Sequence, residues 1–279
     1  MLKVEENQGV TCLEGNVVSS GIKLGTVYAF LVDGMLVDTG PQIIESEFTS
    51  YLLEQSFELV TLTHSHEDHS GNAPWIQKTK QVPIYVHPLG VEICAQASPY
   101  PKYRQLTWGV REKFRAISLG ETIQSQTRQW RVIYTPGHAE DHVSLLDEGT
   151  GRLFSGDLFV TPRTKVIMDS ESIPVIMNSI RTLLKYDFES MFCCHAGYIP
   201  NGKEMLIKKL EYLENLYGEV ENLYKKGLSI EEIKHKLFPK DYPIIRFSSG
   251  EWDSLHIISS IAAHFELEKD KSCSFPETL

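Results

Sequence analysis

The feature that most narrows what this chain can be is a dense run of ligand-type side chains directly behind a strand. Leu59-Val60-Thr61-Leu62-Thr63 reads as a buried strand, and His64-Ser65-His66-Glu67-Asp68-His69 follows it with no spacer. The chain holds ten histidines in 279 residues, and chance rarely crowds three of them into one short loop. Such a loop aims His64 and His66 at one metal ion, while Asp68 and His69, slightly further on, point to a second beside it.

Further ligand types recur where later apolar runs end. His138 closes Thr135-Pro136-Gly137-His138, Asp157 closes Phe154-Ser155-Gly156-Asp157, and His195 follows Phe192-Cys193-Cys194 and precedes Ala196-Gly197. Each abuts or lies close to a glycine, which lets the backbone turn tightly where a strand hands its last residue to a crowded site. A strand end is also a rigid mount for a ligand.

Taken together, T-H-S-H-E-D-H-S-G, T-P-G-H, S-G-D and C-H-A-G, with Asp38-Thr39-Gly40 upstream, resemble the motifs of the metallo-β-lactamase superfamily over about residues 10 to 200. The resemblance implies an α/β fold, a four-layer αββα sandwich with metals at one edge of the paired sheets. It implies that His64, His66 and His138 bind one cation, that Asp68, His69 and His195 bind the other, and that Asp157 bridges. It further implies a hydrolase in which hydroxide held by the metals attacks a scissile carbonyl or phosphorus, with Asp68 orienting the nucleophile and shuttling its proton. Two divalent cations are the expected cofactors. Nitrogen and carboxylate donors suit zinc best and also admit iron or manganese. Asp38 is expected to brace the histidine loop through hydrogen bonds.

Composition limits the partners. Net charge is -10, from 37 acidic against 27 basic residues, which disfavours a surface that grips nucleic acid through many phosphates. A small-molecule substrate is expected instead. No segment has the roughly 18 consecutive apolar residues of a membrane span, and the start lacks the apolar core of a signal peptide. Five scattered cysteines without C-x-x-C spacing point to reduced thiols and a cytoplasmic protein. Cys193 and Cys194 are expected to be buried strand residues rather than ligands.

Along the chain, Val27–Val32, the pair Asp33-Gly34 and Met35–Val37 spell a hairpin. Helices are expected at about 43–54, 91–96 and 173–184, and strands at about 115–119, 130–134, 143–146, 153–154 and 190–194. Two sheets covered by helices fit this order. Ser98 to Arg111, with two prolines and no period, reads as a long loop or lid. From residue 201 the leucine spacing turns helical, Ser229-Ile230-Glu231-Glu232 opens a second helix as a capping box, and 252–265 carries a third. The expected division is a metal hydrolase domain at 1–200 and a helical subdomain at 201–279. Lys208, Lys209, Lys225 and Lys226 read as a solvated helix face, and a substrate wall, a homodimer contact or, least expected, a nucleic-acid surface are the roles open to these helices.

One stretch reverses the overall charge. Lys102, Arg104, Arg111, Lys113, Arg115, Arg128 and Arg131 oppose only Glu112 and Glu121. Were the 100–111 segment to lie over the metals, it would grip an acyl or anionic tail. Arg163 and Lys165 rank below it for that role. Glu140 and Asp141, after His138, are expected to solvate a turn in preference to tuning the surroundings of the ligands, and His142, His87, His235, His256 and His264 to be structural. A small thioester, ester or lactone is the expected substrate. A phosphodiesterase or RNase of the same fold, a mononuclear iron dioxygenase of the persulfide type and a non-catalytic metal-binding regulator are the competing readings.

Overall fold

The computed structural model describes residues 2–19, 21–97 and 100–273, with side chains to residue 267. The first sheet has seven strands in the order β1 (Lys3–Asn7), β2 (Val10–Ser19), β3 (Ile22–Val32), β4 (Met35–Val37), β5 (Leu59–Thr61), β6 (Ile84–Val86) and β7 (Ile117–Ser118). Its first four strands are antiparallel, whereas β4 to β7 run parallel. The second sheet contains β8 (Thr122–Gln124), β9 (Gln129–Tyr134), β10 (Val143–Asp147), β11 (Arg152–Gly156), β13 (Ser190–Cys193) and β14 (Gly197–Ile199). A short pair, β12 (Ile167–Met168) and β15 (Trp252–Asp253), ties the middle of the chain to its C-terminal part.

Helices α1 (Glu45–Leu53), α2 (Glu67–Ser70), α3 (Ala73–Thr79), α4 (Val91–Cys94) and α5 (Lys102–Trp108) belong to the first half. The second half supplies α6 (Ile173–Leu183), α7 (Gly202–Lys225), α8 (Ile230–Leu237), α9 (Pro243–Phe247) and α10 (Ser254–Cys273).

Alternating side chains build the layers, because successive residues of a strand face opposite ways. On β2 and β3, Cys12 and Phe30 join Trp130, Phe154 and Phe192 between the two sheets, while their neighbours Leu13 and Ala29 meet Phe48, Leu52 and Ile76 of the outer helices. The far face of the second sheet buries Leu146, Leu153 and Met191 against α6, α7 and α10. The result is the four-layer αββα sandwich, with the C-terminal helices covering the second sheet. Leu206, Leu213, Val220, Ile257 and Ile261 of those helices share one apolar cluster with that sheet.

The Asp33-Gly34 turn joins β3 to β4 as the sequence predicts, with both residues at positive φ, 48° and 74°. The capping box at Ser229 also forms, its hydroxyl accepting from the Glu232 N–H and Glu232 accepting from the Ser229 N–H. One expectation fails. Where 98–111 reads as a loop, α5 forms; Ser98 and Pro99 lie outside the described residues. Pro101 flanks the first turn, where its fixed φ starts a helix rather than breaking one, and seven residues are too few to show a period. The strands β8, β12 and β15 and helix α9 escape sequence reading because each spans five residues or fewer.

Candidate metal centre

Each sequence-predicted ligand sits just beyond the carboxyl end of a strand, where open α/β sheets present their sites. His64, His66, Asp68 and His69 follow β5, His138 follows β9, Asp157 follows β11 and His195 follows β13. Gly156 makes one of these turns possible: its φ is +49°, and a side chain there would collide with the His142 ring.

The predicted ligands form two groups of donors, each with its ligand atoms within 4.8 Å of one another, and Asp38 and Cys194 form a third that shares His69. In the first, His66 Nδ1 lies 3.0 Å from His64 Nε2 and 3.1 Å from His138 Nε2, so three imidazoles converge on one point. In the second, His195 Nε2 is 3.3 Å from Asp68 Oδ2 and 3.1 Å from Asp157 Oδ2, and His69 Nε2 is 3.4 Å from Asp157 Oδ1. Asp157 Oδ2 also stands 3.4 Å from His138 Nε2, which places this carboxylate between the groups. All seven predicted residues are thus brought together.

The donor set fits a metal on the molecule's own terms. His69 Nε2 and Asp157 Oδ1 are buried polar atoms with no hydrogen-bond partner, a costly state unless something else satisfies them. The far nitrogens, by contrast, are tied down. His69 Nδ1 is 3.0 Å from Asp38 Oδ2, His195 Nδ1 is 2.8 Å from the Thr26 carbonyl oxygen, and His138 Nδ1 is 3.4 Å from Glu171 Oε2. Such contacts fix ring orientation and leave the inward nitrogen free to ligate.

Electrostatics differ between the groups. Burial, reinforced by neighbouring imidazoles, drives His64 and His66 well below the ordinary histidine range. Burial also opposes charge on His69 and His195, but there Asp157 and Asp68 outweigh it and hold both rings well above that range. Asp157 ionises far more readily than a buried carboxyl should, because His195 and His69 face it. The carboxylates that retain protons on these rings are the charges that would hold a cation.

Asp38 braces the loop as expected. Its Oδ1 accepts from the Thr63 N–H at 2.8 Å, and its Oδ2 accepts from Thr63 Oγ1 at 2.9 Å and from the Cys194 thiol at 2.8 Å. Cys194 is buried, as expected, but it lies in the turn just past β13, which ends at Cys193, and its thiol donates to this carboxylate. Asp141 corrects its sequence reading: it is buried, and its Oδ2 accepts from the Ser65 N–H at 2.9 Å, pinning the histidine loop. Glu140 is exposed, and His142 is structural, accepting from the Asp157 N–H at 3.0 Å.

The centre opens into a cavity of about 520 Å³. Trp108, Tyr103, Trp252, Met168 and Ile176 give it apolar walls, and the Trp108 ring lies 6.2 Å from that of His195. Of the basic stretch 102–131, only Arg104 reaches the cavity, and Glu67 and Glu251 engage it at 2.5 Å and 3.2 Å. Arg111 is buried and donates to the Cys94 and Ile93 carbonyls, Arg128 pairs with Asp147, and Arg131 pairs with Glu148. Sequence reasoning missed Glu171 and Lys209 at this site. Lys209 is not part of a solvated face: it is buried and lines the cavity. Neither residue belongs to a motif, and their neighbours in sequence give no signal.

The chain is similar to known metallo-hydrolases and to proteins of one fold. The chain is 24% identical to the probable metallo-hydrolase YqjP of Bacillus subtilis, over 89% of this chain and 93% of that protein. It is 29% identical to the thioesterase pkgB of Emericella nidulans, over 62% of this chain and 43% of that protein. A metallo-beta-lactamase family protein from Thermus thermophilus shares the fold with a TM-score of 0.71 at 18% identity, covering 94% of each chain. The family model of the metallo-beta-lactamase superfamily matches residues 22–195, and the chain belongs to that superfamily.

Proposed function

We propose that this hydrolase is dinuclear and cleaves thioesters, esters or lactones, with thioesters favoured. In this reading His64, His66 and His138 hold one cation, Asp68, His69 and His195 hold the second, and Asp157 joins them. Zinc suits these donors best. The observation that carries the reading is Asp157, whose two oxygens face histidines of both groups while one of them lacks any hydrogen bond. The likeness to a thioesterase supports the substrate class.

Divalent cations held here would supply the Lewis acidity that activates water near neutral pH and polarises a scissile carbonyl. The chain does the rest. Asp68, kept ionised against the cost of burial by His69 and His195, accepts the proton of the attacking water. Asp38, Glu171 and the Thr26 carbonyl keep His69, His138 and His195 from rotating. Trp108, Tyr103 and Trp252 exclude water from the acyl group. Residues 1–200 serve as the hydrolase domain and 201–279 as a helical subdomain. The four described cysteines that are free and buried fit a reducing, cytoplasmic setting. No helix among the described residues is long and apolar enough to cross a membrane.

Metal analysis of freshly purified protein, combined with a substrate panel, tests this. Two zinc ions per chain, with hydrolysis of an aromatic thioester lost on chelation and restored by zinc, is the expected result. One iron per chain with oxygen uptake overturns it, as does cleavage of a bis-nitrophenyl phosphodiester in preference to every thioester, ester and lactone.

A further inference from the structure

Charge on the cavity wall is distributed unevenly, and the unevenness bears on the substrate. Arg104 is engaged by two glutamates, and Lys209 donates to the Leu158 and Phe159 carbonyls at 2.8 Å and 2.6 Å. Arg163 and Lys165 also line the cavity, but they are exposed, and among the described residues their side chains make no ion pair or hydrogen bond. In a chain of net charge -10, leaving two cations unpaired at a cavity rim is a deliberate use of positive charge.

The segment carrying them is held firmly. Besides the two carbonyls taken by Lys209, Thr164 O accepts from the Tyr212 hydroxyl at 2.8 Å and Lys165 O accepts from Ser254 Oγ at 2.7 Å. All of these donors come from α7 and α10. Within the segment, Val160 sits at a φ of +48°, a conformation that a β-branched residue adopts only under constraint. The Thr161 N–H closes a tight turn onto Phe159 O at 2.5 Å around it. The C-terminal helices thus clasp the 158–165 segment along the cavity, with apolar walls on one side and free cations at the rim.

From this juxtaposition we infer that Arg163 and Lys165 bind the phosphate of a thiol leaving group, so that the substrate is an acyl thioester of phosphopantetheine, on coenzyme A or on a carrier protein. The inference rests on the hydrolase reading above. In the reaction, water adds to the acyl carbon and the carbon–sulfur bond breaks, giving a carboxylic acid and the free thiol. The acyl group occupies the aromatic end beside Trp108, and the phosphate remains at the solvent rim, where a charge-assisted contact costs little desolvation.

The test compares the zinc-loaded parent with the double variant Arg163→Ala/Lys165→Ala on three thioesters of one aromatic acid: with coenzyme A, with a phosphopantetheinylated carrier protein, and with N-acetylcysteamine, which lacks phosphate. The ratio of kcat/KM on the coenzyme A or carrier substrate to that on the truncated one is expected to fall about tenfold to a hundredfold in the variant. The substrate whose ratio falls further identifies the source of the arm. A ratio within about twofold of the parent's on both phosphate-bearing substrates overturns the inference while leaving the hydrolase reading intact. Free coenzyme A, titrated against tryptophan fluorescence, gives a readout independent of turnover. Loss of its binding in the variant with no thioester cleaved by the parent sinks the thioesterase reading and keeps the anion site, whereas equal binding by parent and variant overturns the site.

Discussion

The loop after β5 and the segment after β11 both deliver charged side chains to the same cavity, but different parts of the chain hold them. The histidine loop is braced by its own half of the molecule: Asp38 and Thr39 grip Thr63 and His69, and Ser70 Oγ donates back to the Ser65 carbonyl. The side of the second sheet reinforces it through Asp141, through the Val143 N–H, which donates to the Thr63 carbonyl at 2.8 Å, and through the Cys194 thiol on Asp38. The 158–165 segment is braced by Lys209, Tyr212 and Ser254, from helices that come later in the chain. Ligands that must converge within hydrogen-bond distances are built into the sandwich. The cavity wall after Asp157 is fastened instead by helices that come later in the chain and share an apolar core with the second sheet.

The sharpest way to break this contrast is to remove the brace on the ligand side. Asp38→Ala leaves the Thr63 N–H and the Cys194 thiol without their acceptor and takes the carboxylate partner from the Thr63 hydroxyl and His69 Nδ1, which keep only their contact with each other at 3.3 Å and that of the hydroxyl with His64 Nδ1 at 3.2 Å; all of them are buried. The expected cost is about 4 kcal/mol, the scale for orphaning several buried donors at once. Chemical denaturation should show it, and metal analysis should show loss of the ion nearest His69. A loss under about 1 kcal/mol with full metal content contradicts the bracing role.

On the other side, Lys209 gives a prediction with a pH signature. Burial pushes its ammonium from 10.5 down to about 8. Because the folded pKa lies below the unfolded one, the unfolded chain binds more protons between those values, so stability rises as pH climbs from about 8 to 10.5. Below pH 8 the full penalty for burying the charge applies, on the order of 3 kcal/mol. Lys209→Met removes this slope. The difference in unfolding free energy between parent and variant, followed from pH 7.5 to 10.5, should therefore move in the parent's favour by about that amount. A flat difference refutes the assignment.

The same contrast explains what could be read from the sequence. The candidate ligands, the hairpin at Asp33-Gly34 and the role of Asp38 were legible because each is written in a short local pattern: histidines beside a strand, a turn pair with positive φ, a motif at a strand end. The braces of the second segment were not. Lys209 belongs to a helix whose surrounding charges alternate, and only the fold shows that this one lysine turns inward onto Leu158 and Phe159. Basic composition misled for a similar reason. Seven cations at 102–131 outnumber Arg163 and Lys165, yet sequence gives no account of which are already paired. Arg104 is spent on Glu67 and Glu251, and Arg111 on backbone carbonyls.

The smallest expected effect is the most specific to the clasp. Val160 holds a positive φ that costs a β-branched residue about 1–2 kcal/mol, while glycine there relieves the strain but loses about 0.5–1 kcal/mol through the freedom of the unfolded chain. Val160→Gly should therefore stabilise the protein slightly, raising Tm by about 1–2 °C. It should also loosen the segment that aims Arg163 and Lys165, and so raise KM for the coenzyme A thioester more than for the N-acetylcysteamine thioester. A gain in stability with a loss of selectivity identifies the strain at Val160 as the cost of holding the rim in place. A gain in stability with selectivity retained shows that the four hydrogen bonds from α7 and α10 suffice alone.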